Sequence, residues 1–174
     1  MASENQWGFI RRLFDDAVAS SLHYSFATVN PDGTPHVTPI GSLILTRENM
    51  GFYFEVFSDQ LPRNLQTNQR ICVLAVNSSP LFWLTSLFLG KFTAPPAVRL
   101  IGYAGERRKA TDHEKRLMRK RIGRFKALKG YKVLWGKLDH VRDLHFEAIE
   151  PILLGKMTEA LWQPPLQKRE LSEG

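Results

Sequence analysis

The chain has 174 residues, 43% of them hydrophobic, with 24 basic against 17 acidic side chains and a formal charge of +7. That balance excludes a disordered polyelectrolyte and suits a single domain over 1–174, able to bury roughly 70% of its unfolded surface without metal or disulfide staples. The lone Cys72 excludes an internal disulfide and a paired-cysteine zinc site, and its place in the apolar run Ile71–Val76 reads as a small buried hydrophobe.

Ser3-Glu4-Asn5-Gln6 has the form of a capping box, and Trp7, Ile10, Phe14 and Ala17 or Val18 make an apolar stripe, which predicts a helix to about Ser20. Tyr24–Val29 is rich in aromatic and β-branched residues, Asn30-Pro31-Asp32-Gly33 is a turn, and Thr34–Leu45 resumes extended structure, so a hairpin is expected. Pro35 and Pro39 cannot donate to a ladder and belong at a strand start or on an unpaired edge. Gly51–Phe57 is expected as the third strand, Leu61–Asn68 as a short helix with Pro62 in its first turn, and Ile71–Val76 as the fourth strand. Pro80 and the pair Pro95-Pro96 bracket the mostly apolar run Leu81–Gly90, which contains Trp83. It reads as a hydrophobic insertion loop over 78–97 covering a pocket or a subunit interface, with an extra core helix as the alternative. Val98–Gly105 and Leu144–Leu154 complete six strands. Short turns between antiparallel neighbours predict an α+β, mainly β, antiparallel barrel with flanking helices.

The charge is local. Between Arg107 and Arg142 stand 14 basic residues against 3 acids, a sum of +11, and the rest of the chain sums to −4. Thr111-Asp112-His113-Glu114 is a capping box and Gly130 a stop, which predicts a basic helix over 111–129. Met118, Ile122 and Phe125 form its apolar stripe, with Leu117 and Leu128 beside them, and Arg116, Arg119, Lys120, Arg124 and Lys126 fill much of the remainder. Such a helix is either a solvated face, a site for an anionic cofactor tail or substrate, or a nucleic-acid surface. Tyr131 and Trp135, near its end, suit base stacking, core packing or flavin contacts equally.

No Gly-rich phosphate loop and no His-Glu-x-x-His helix motif is present, and the five histidines have no metal-ligand spacing, so no metal site is expected. No nucleophile elbow points to Ser-His-Asp catalysis. The longest apolar stretch, Leu81 to Phe92, falls short of the ~18 residues that cross a bilayer. Met1 to Phe14 lacks a signal pattern, and a cytoplasmic protein that does not engage the membrane is expected.

One order of motifs goes further. A helix is followed by Phe26-Ala27-Thr28-Val29-Asn30-Pro31-Asp32-Gly33-Thr34-Pro35-His36-Val37-Thr38-Pro39-Ile40, then by Gly51-Phe52-Tyr53-Phe54, Arg63-Asn64-Leu65 and Asn68-Gln69-Arg70-Ile71. This order resembles the pyridoxamine 5′-phosphate oxidase-related, FMN-binding split-barrel superfamily, best over Leu22–Val76 and not at all over Ser78–Ala97. The resemblance implies a six-stranded split barrel that forms a homodimer with FMN in a groove between subunits, and an oxidoreductase whose redox chemistry belongs to the cofactor. It implies that His36, Val37, Thr38 and Pro39 run along the cofactor, that Phe54, Glu55 and Val56 lie near the ribityl phosphate, and that Arg63 and Asn64 supply cationic and polar contacts. The Trp83 segment would close over the ring, and the basic helix would attract an anionic small-molecule substrate. No catalytic acid or base is assigned. Many relatives carry a hydroxyl residue where Glu55 stands and a lysine where Leu61 stands; the change removes a donor and adds repulsion toward phosphate, for which Arg63 is the compensating cation. Within the same fold a deazaflavin or haem is the alternative cofactor. A barrel without cofactor that binds nucleic acid or another polyanion through the basic helix is the alternative from a different class.

Overall fold

A computed structural model describes residues 4–56, 59–123, 127, 129–130 and 135–161. The first helix, α1 (Glu4–Ser21), buries Trp7, Ile10, Leu13, Phe14 and Ala17 on one face, the stripe expected from the spacing with Leu13 added. Seven strands follow: β1 (Tyr24–Val29), β2 (Pro35–Ile40), β3 (Leu43–Leu45), β4 (Met50–Phe54), β5 (Arg70–Val76), β6 (Ala97–Lys109) and β7 (His140–Pro151). Three helices punctuate them: α2 (Gln60–Thr67), α3 (Pro80–Leu89) and α4 (Asp112–Ile122). Two short 3₁₀ turns lie at Gly155–Met157 and Glu159–Leu161.

All strands join one antiparallel sheet in the order β2-β1-β5-β6-β7-β4-β3. Its two outermost strands, β2 and β3, are consecutive in the chain and separated only by Gly41-Ser42, so the sheet must curl until its edges approach. This is a split barrel, with seven strands where six were expected. The difference lies in Thr34–Leu45, which reads as one extended run but breaks at Gly41-Ser42 and pairs first with β1 and then with β4. A Cβ on Gly41 would sit 2.6 Å from the Leu22 carbonyl oxygen, and the Ser42 hydroxyl donates to the Phe54 carbonyl at 2.9 Å, which fixes the break.

The expected hairpin forms, with Asp32 Oδ1 accepting from the Thr34 amide at 3.0 Å and Gly33 at φ 85°. The long β6–β7 ladder carries the fold's centre. Gly102 lies beside a register shift in it, where a Cβ would fall 1.9 Å from the His145 carbonyl oxygen. One core packs α1 on Phe26, Tyr53, Leu100 and Leu144. A second seats Met118 and Ile122 of α4 on Phe52, Phe54 and Val141, with Trp135 half-buried against it, so that tryptophan packs in a core. The Thr111 capping box is present, as expected. The described helix ends at Ile122, while Arg124, Phe125, Lys126, Leu128 and Tyr131 lie outside the described residues.

The 78–97 segment is not a loop. Ser79 caps it, Pro80 occupies its first turn and Gly90 ends it at φ 65°, making α3 a regular helix of ten residues. It is not a core helix either, since Ser86 is its only buried residue.

Candidate cofactor site

Strand pairing sorts the chain ends around the barrel. Val29 lies opposite Pro35, Arg70 opposite Tyr103, Lys109 opposite His140 and Phe54 opposite Val141. The start of β2, the end of β4, the start of α2 after it and the α4 end of the β6–β7 ladder therefore share one end of the sheet. The site residues expected from the resemblance begin there, and the positive segment is there as well.

On β2 the side chains alternate. Val37 and Pro39 are exposed, whereas His36 and Thr38 are half-buried and linked to each other by a 2.8 Å contact between His36 Nε2 and Thr38 Oγ1. Val37 continues a row across the outer face of the sheet, aligned with Ala27, Cys72, Ile101 and Ala148 on successive strands. This uncharged shelf is flanked by the stacked rings of Tyr103 and His145, 5.0 Å apart, and by the Arg70–Glu147 ion pair. Burial pushes the Cys72 thiol up, so at neutral pH it contributes an uncharged surface and no thiolate.

Glu55 follows the last residue of β4, and its carboxylate is clamped by two arginines. Arg142 Nε donates to Oε2 at 2.5 Å and Arg107 Nε lies 2.9 Å from Oε1. The Glu55 and Arg142 side chains are only 8% and 4% exposed. Arg142 also donates to the Gly105 carbonyl at 3.1 Å, and the Tyr53 hydroxyl points at Glu55 Oε2 from 3.4 Å. Burial, with the Glu55 charge beside it, pushes the Tyr53 phenol well above its ordinary range and keeps it neutral. The repulsion that an acid at this position suggests is thus cancelled, since one carboxylate meets two guanidinium groups and the trio sums to +1. Phe54 is buried in the α4 core, and Val56 packs at its edge.

On α2, Asn64 is fully buried and spends its whole amide on the scaffold. Its nitrogen donates to Thr28 Oγ1 at 3.0 Å and Asn30 Oδ1 at 2.9 Å, and its oxygen accepts from Gln60 at 2.8 Å. Thr28 is the cross-strand partner of His36, so Asn64 ties α2 to the β1–β2 hairpin. Arg63, its neighbour, is exposed and has no ion pair among the described residues. Leu61 is fully buried in the main core, where a lysine could not sit without desolvating its charge.

Four arginines of Arg107–Arg142, namely Arg107, Arg108, Arg121 and Arg142, are internal wiring. Arg108 grips Asp143 through two nitrogens, at 2.5 and 2.7 Å, and Glu114 at 2.6 Å, which anchors the start of α4 to the β6–β7 ladder. Burial works to raise the Glu114 carboxyl, but hydrogen bonds from Arg108 and Thr111 outweigh it and hold the group below its usual range. Arg121 pairs with Asp15 at 3.0 Å and donates to the Leu43 carbonyl. Arg116, Arg119 and Lys120 are exposed and have no ion pair among the described residues. A cleft of about 400 Å³ between α1, α4 and β3 is lined by Phe14, Ile44, Leu117, Arg11, Lys120 and Arg121 among others. Spacing could not reveal it, because its walls come from α1, β1, β3 and α4, which are spread along the chain from Arg11 to Arg121. The described residues hold no cluster of side chains fit for a metal ion, and no helix among them is long and apolar enough to cross a membrane.

The fold recurs in solved structures. HupZ of Group A Streptococcus is 18% identical over 86% of this chain and 92% of its own, with a TM-score of 0.53. An FMN-binding protein from Syntrophomonas wolfei is 14% identical, over 86% of this chain and 94% of its own, with a TM-score of 0.57. An F420 reductase is 16% identical, over 79% of this chain and 95% of its own, with a TM-score of 0.51. At these identities the TM-scores show a common fold and nothing more. No curated protein matches the chain. The family model described as pyridoxamine 5′-phosphate oxidase matches residues 12–145, from the middle of α1 to the middle of β7. The chain belongs to the pyridoxamine 5′-phosphate oxidase family.

Proposed function

We propose that the protein is a homodimeric FMN-binding flavoprotein of the oxidoreductase type, acting on a small, anionic substrate. The observation that carries this reading is that an exposed Arg63 stands at the same end of the sheet as Glu55, whose charge is already cancelled by Arg107 and Arg142. A dianionic phosphate there meets net positive charge. Arg63 supplies charge-assisted donors, Asn64 holds α2 against the hairpin so that Arg63 is presented in place, and the shelf from Val37 to Ala148 offers a flat apolar surface to a ring system. The Syntrophomonas wolfei protein of the same fold is described as FMN-binding, which supports the choice of cofactor. When bound, the flavin supplies hydride or electron transfer; the chain's own work is to bind it, orient it and exclude water.

A second reading rests on a different observation. The exposed cations Arg116, Arg119 and Lys120 on α4 would suit the carboxylate-rich tail of a deazaflavin, and an F420 reductase shares the fold. Titrating the protein with FMN and with the deazaflavin, followed by fluorescence and thermal shift, separates the two. FMN is expected to bind and raise the melting temperature, and Arg63→Glu to weaken it at least tenfold with the apo melting temperature unchanged. Charge reversal at Arg116 and Arg119 should leave FMN binding intact. The reverse pattern, with FMN silent and the deazaflavin binding through α4, selects the second reading.

A further inference from the structure

The cleft between α1 and α4 shares no residue with the candidate FMN site, and only Lys120 with the deazaflavin reading. Its two long walls are helix faces. Arg11, Phe14 and Asp15 of α1, and Leu117, Lys120 and Arg121 of α4, each stand at positions i, i+3 and i+4, so each helix turns one apolar side chain and two charged ones into the same space. Among the described residues a single ion pair crosses between the helices, Arg121 to Asp15 at 3.0 Å. Asp15 is 64% exposed, so that pair holds the walls together only weakly.

The floor is apolar and the rim is positive. Ile44 and Leu45 of β3 form part of the floor, with the Tyr24 and Phe14 rings packed at a centroid distance of 5.0 Å. The Tyr24 hydroxyl donates to the Phe14 carbonyl at 2.9 Å, and burial pushes its phenol up against the opposing pull of Arg121, so the floor carries no charge. At the rim, Arg11 and Lys120 are exposed and have no ion pair among the described residues. Arg121, whose side chain is 23% exposed, is held by the Leu43 carbonyl and by Asp15, a fixed cation in the wall. Three cations against one acid leave the lining at 3 − 1 = +2. At about 400 Å³ the space falls within the range of small-molecule pockets, roughly 300–1,000 Å³.

We propose that this cleft is a second ligand site, which takes a small organic carboxylate: an apolar chain or ring ending in one carboxylate group. The apolar body lies on Phe14, Ile44 and Leu117 and removes their surface from water. The carboxylate stays at the rim, where Arg11 and Lys120 supply charge-assisted donors and Arg121 adds its field without moving. Inorganic anions would use the rim and leave the floor wet, and uncharged hydrocarbons would leave both rim cations without a partner. The two halves of the cleft together select an amphipathic anion. The proposal does not rest on the cofactor reading.

The test is calorimetric titration of the full chain, as purified, with octanoate and with 1-octanol, an uncharged molecule of the same length. Octanoate is expected to bind once per chain, and 1-octanol at least about tenfold more weakly. Arg11→Gln/Lys120→Gln changes two exposed positions that the fold tolerates and should weaken octanoate at least about tenfold. Leu117→Trp, which fills the cleft and keeps its charges, should abolish binding. Leu84→Glu/Phe88→Glu lowers the net charge by the same two units at side chains of α3 that are 67% and 90% exposed, and should leave octanoate binding unchanged. Absence of saturable octanoate binding overturns the proposal, and so does equal binding of 1-octanol. Binding that survives both cleft variants, or that the α3 variant removes, places octanoate elsewhere and overturns it as well.

Discussion

Replacing Arg142 by methionine keeps most of the aliphatic volume of the side chain and deletes the charge that faces Glu55. The carboxylate, 8% exposed, then keeps one cation, Arg107, whose side chain is half exposed and so acts through screened solvent, and the Tyr53 hydroxyl at 3.4 Å. Removing one partner of a buried ion pair costs about 3–5 kcal/mol, and the Gly105 carbonyl also loses its donor, worth about 1 kcal/mol. Arg107 offsets part of this, and a net loss of roughly 3–4 kcal/mol follows. For a chain of this length that corresponds to a fall in Tm of roughly 6–16 °C. Glu55→Gln should cost less, since Arg142 keeps its bond to Gly105 and a neutral acceptor. The pair Glu55→Gln/Arg142→Met should fall short of the summed single losses by at least about 1.5 kcal/mol, the signature of direct coupling. Urea unfolding of the three variants measures all of this. An Arg142→Met loss below about 1 kcal/mol, or strict additivity, would refute the reasoning that this trio is a buried, compensated cluster.

Gly102→Ala should lower stability by about 3 kcal/mol or more, read by urea unfolding, because its Cβ would collide with the His145 carbonyl, a backbone atom that cannot swing away. Asn64→Ala should cost about 2–3 kcal/mol, because the side chains of Thr28, Asn30 and Gln60 all lose a buried partner; Asn64→Asp, which keeps one acceptor but removes the donors, should recover little of it. Glu114→Gln should remove a pH dependence. The folded carboxyl lies below its ordinary value of 4.5, so its contribution is fully present above that value and is lost as pH falls through the folded pKa. Thermal melts from pH 3 to 6 should therefore rise less steeply in the variant than in the wild type.

Local signals were legible where local physics decides. The α1 stripe, the Asn30–Gly33 turn, the Thr111 capping box and the position of α2 all follow from spacing and turn chemistry, and the structure agrees with each. The α3 helix carried readable signals in Ser79, Pro80 and Gly90. Apolar residues on nearly every face of the segment hid which side packs, and the structure leaves Leu81, Leu84, Leu87, Phe88 and Leu89 exposed. The break at Gly41-Ser42 was illegible because both sides are extended and only tertiary contacts, the Leu22 carbonyl and the Ser42–Phe54 bond, impose it. Glu55 looked like an obstacle to phosphate because its partner Arg142 lies 87 residues away and meets it only through the pairing of β4 with β7. The +11 segment likewise mixes structural arginines with exposed cations, a division that composition cannot make.

FMN binding is tested most directly by the absorption spectrum of the protein as purified, followed by a thermal melt with and without added FMN. A flavin spectrum near one cofactor per chain, or a colourless protein whose Tm rises on adding FMN, is the predicted result. A colourless protein whose melting temperature FMN leaves unmoved would contradict it.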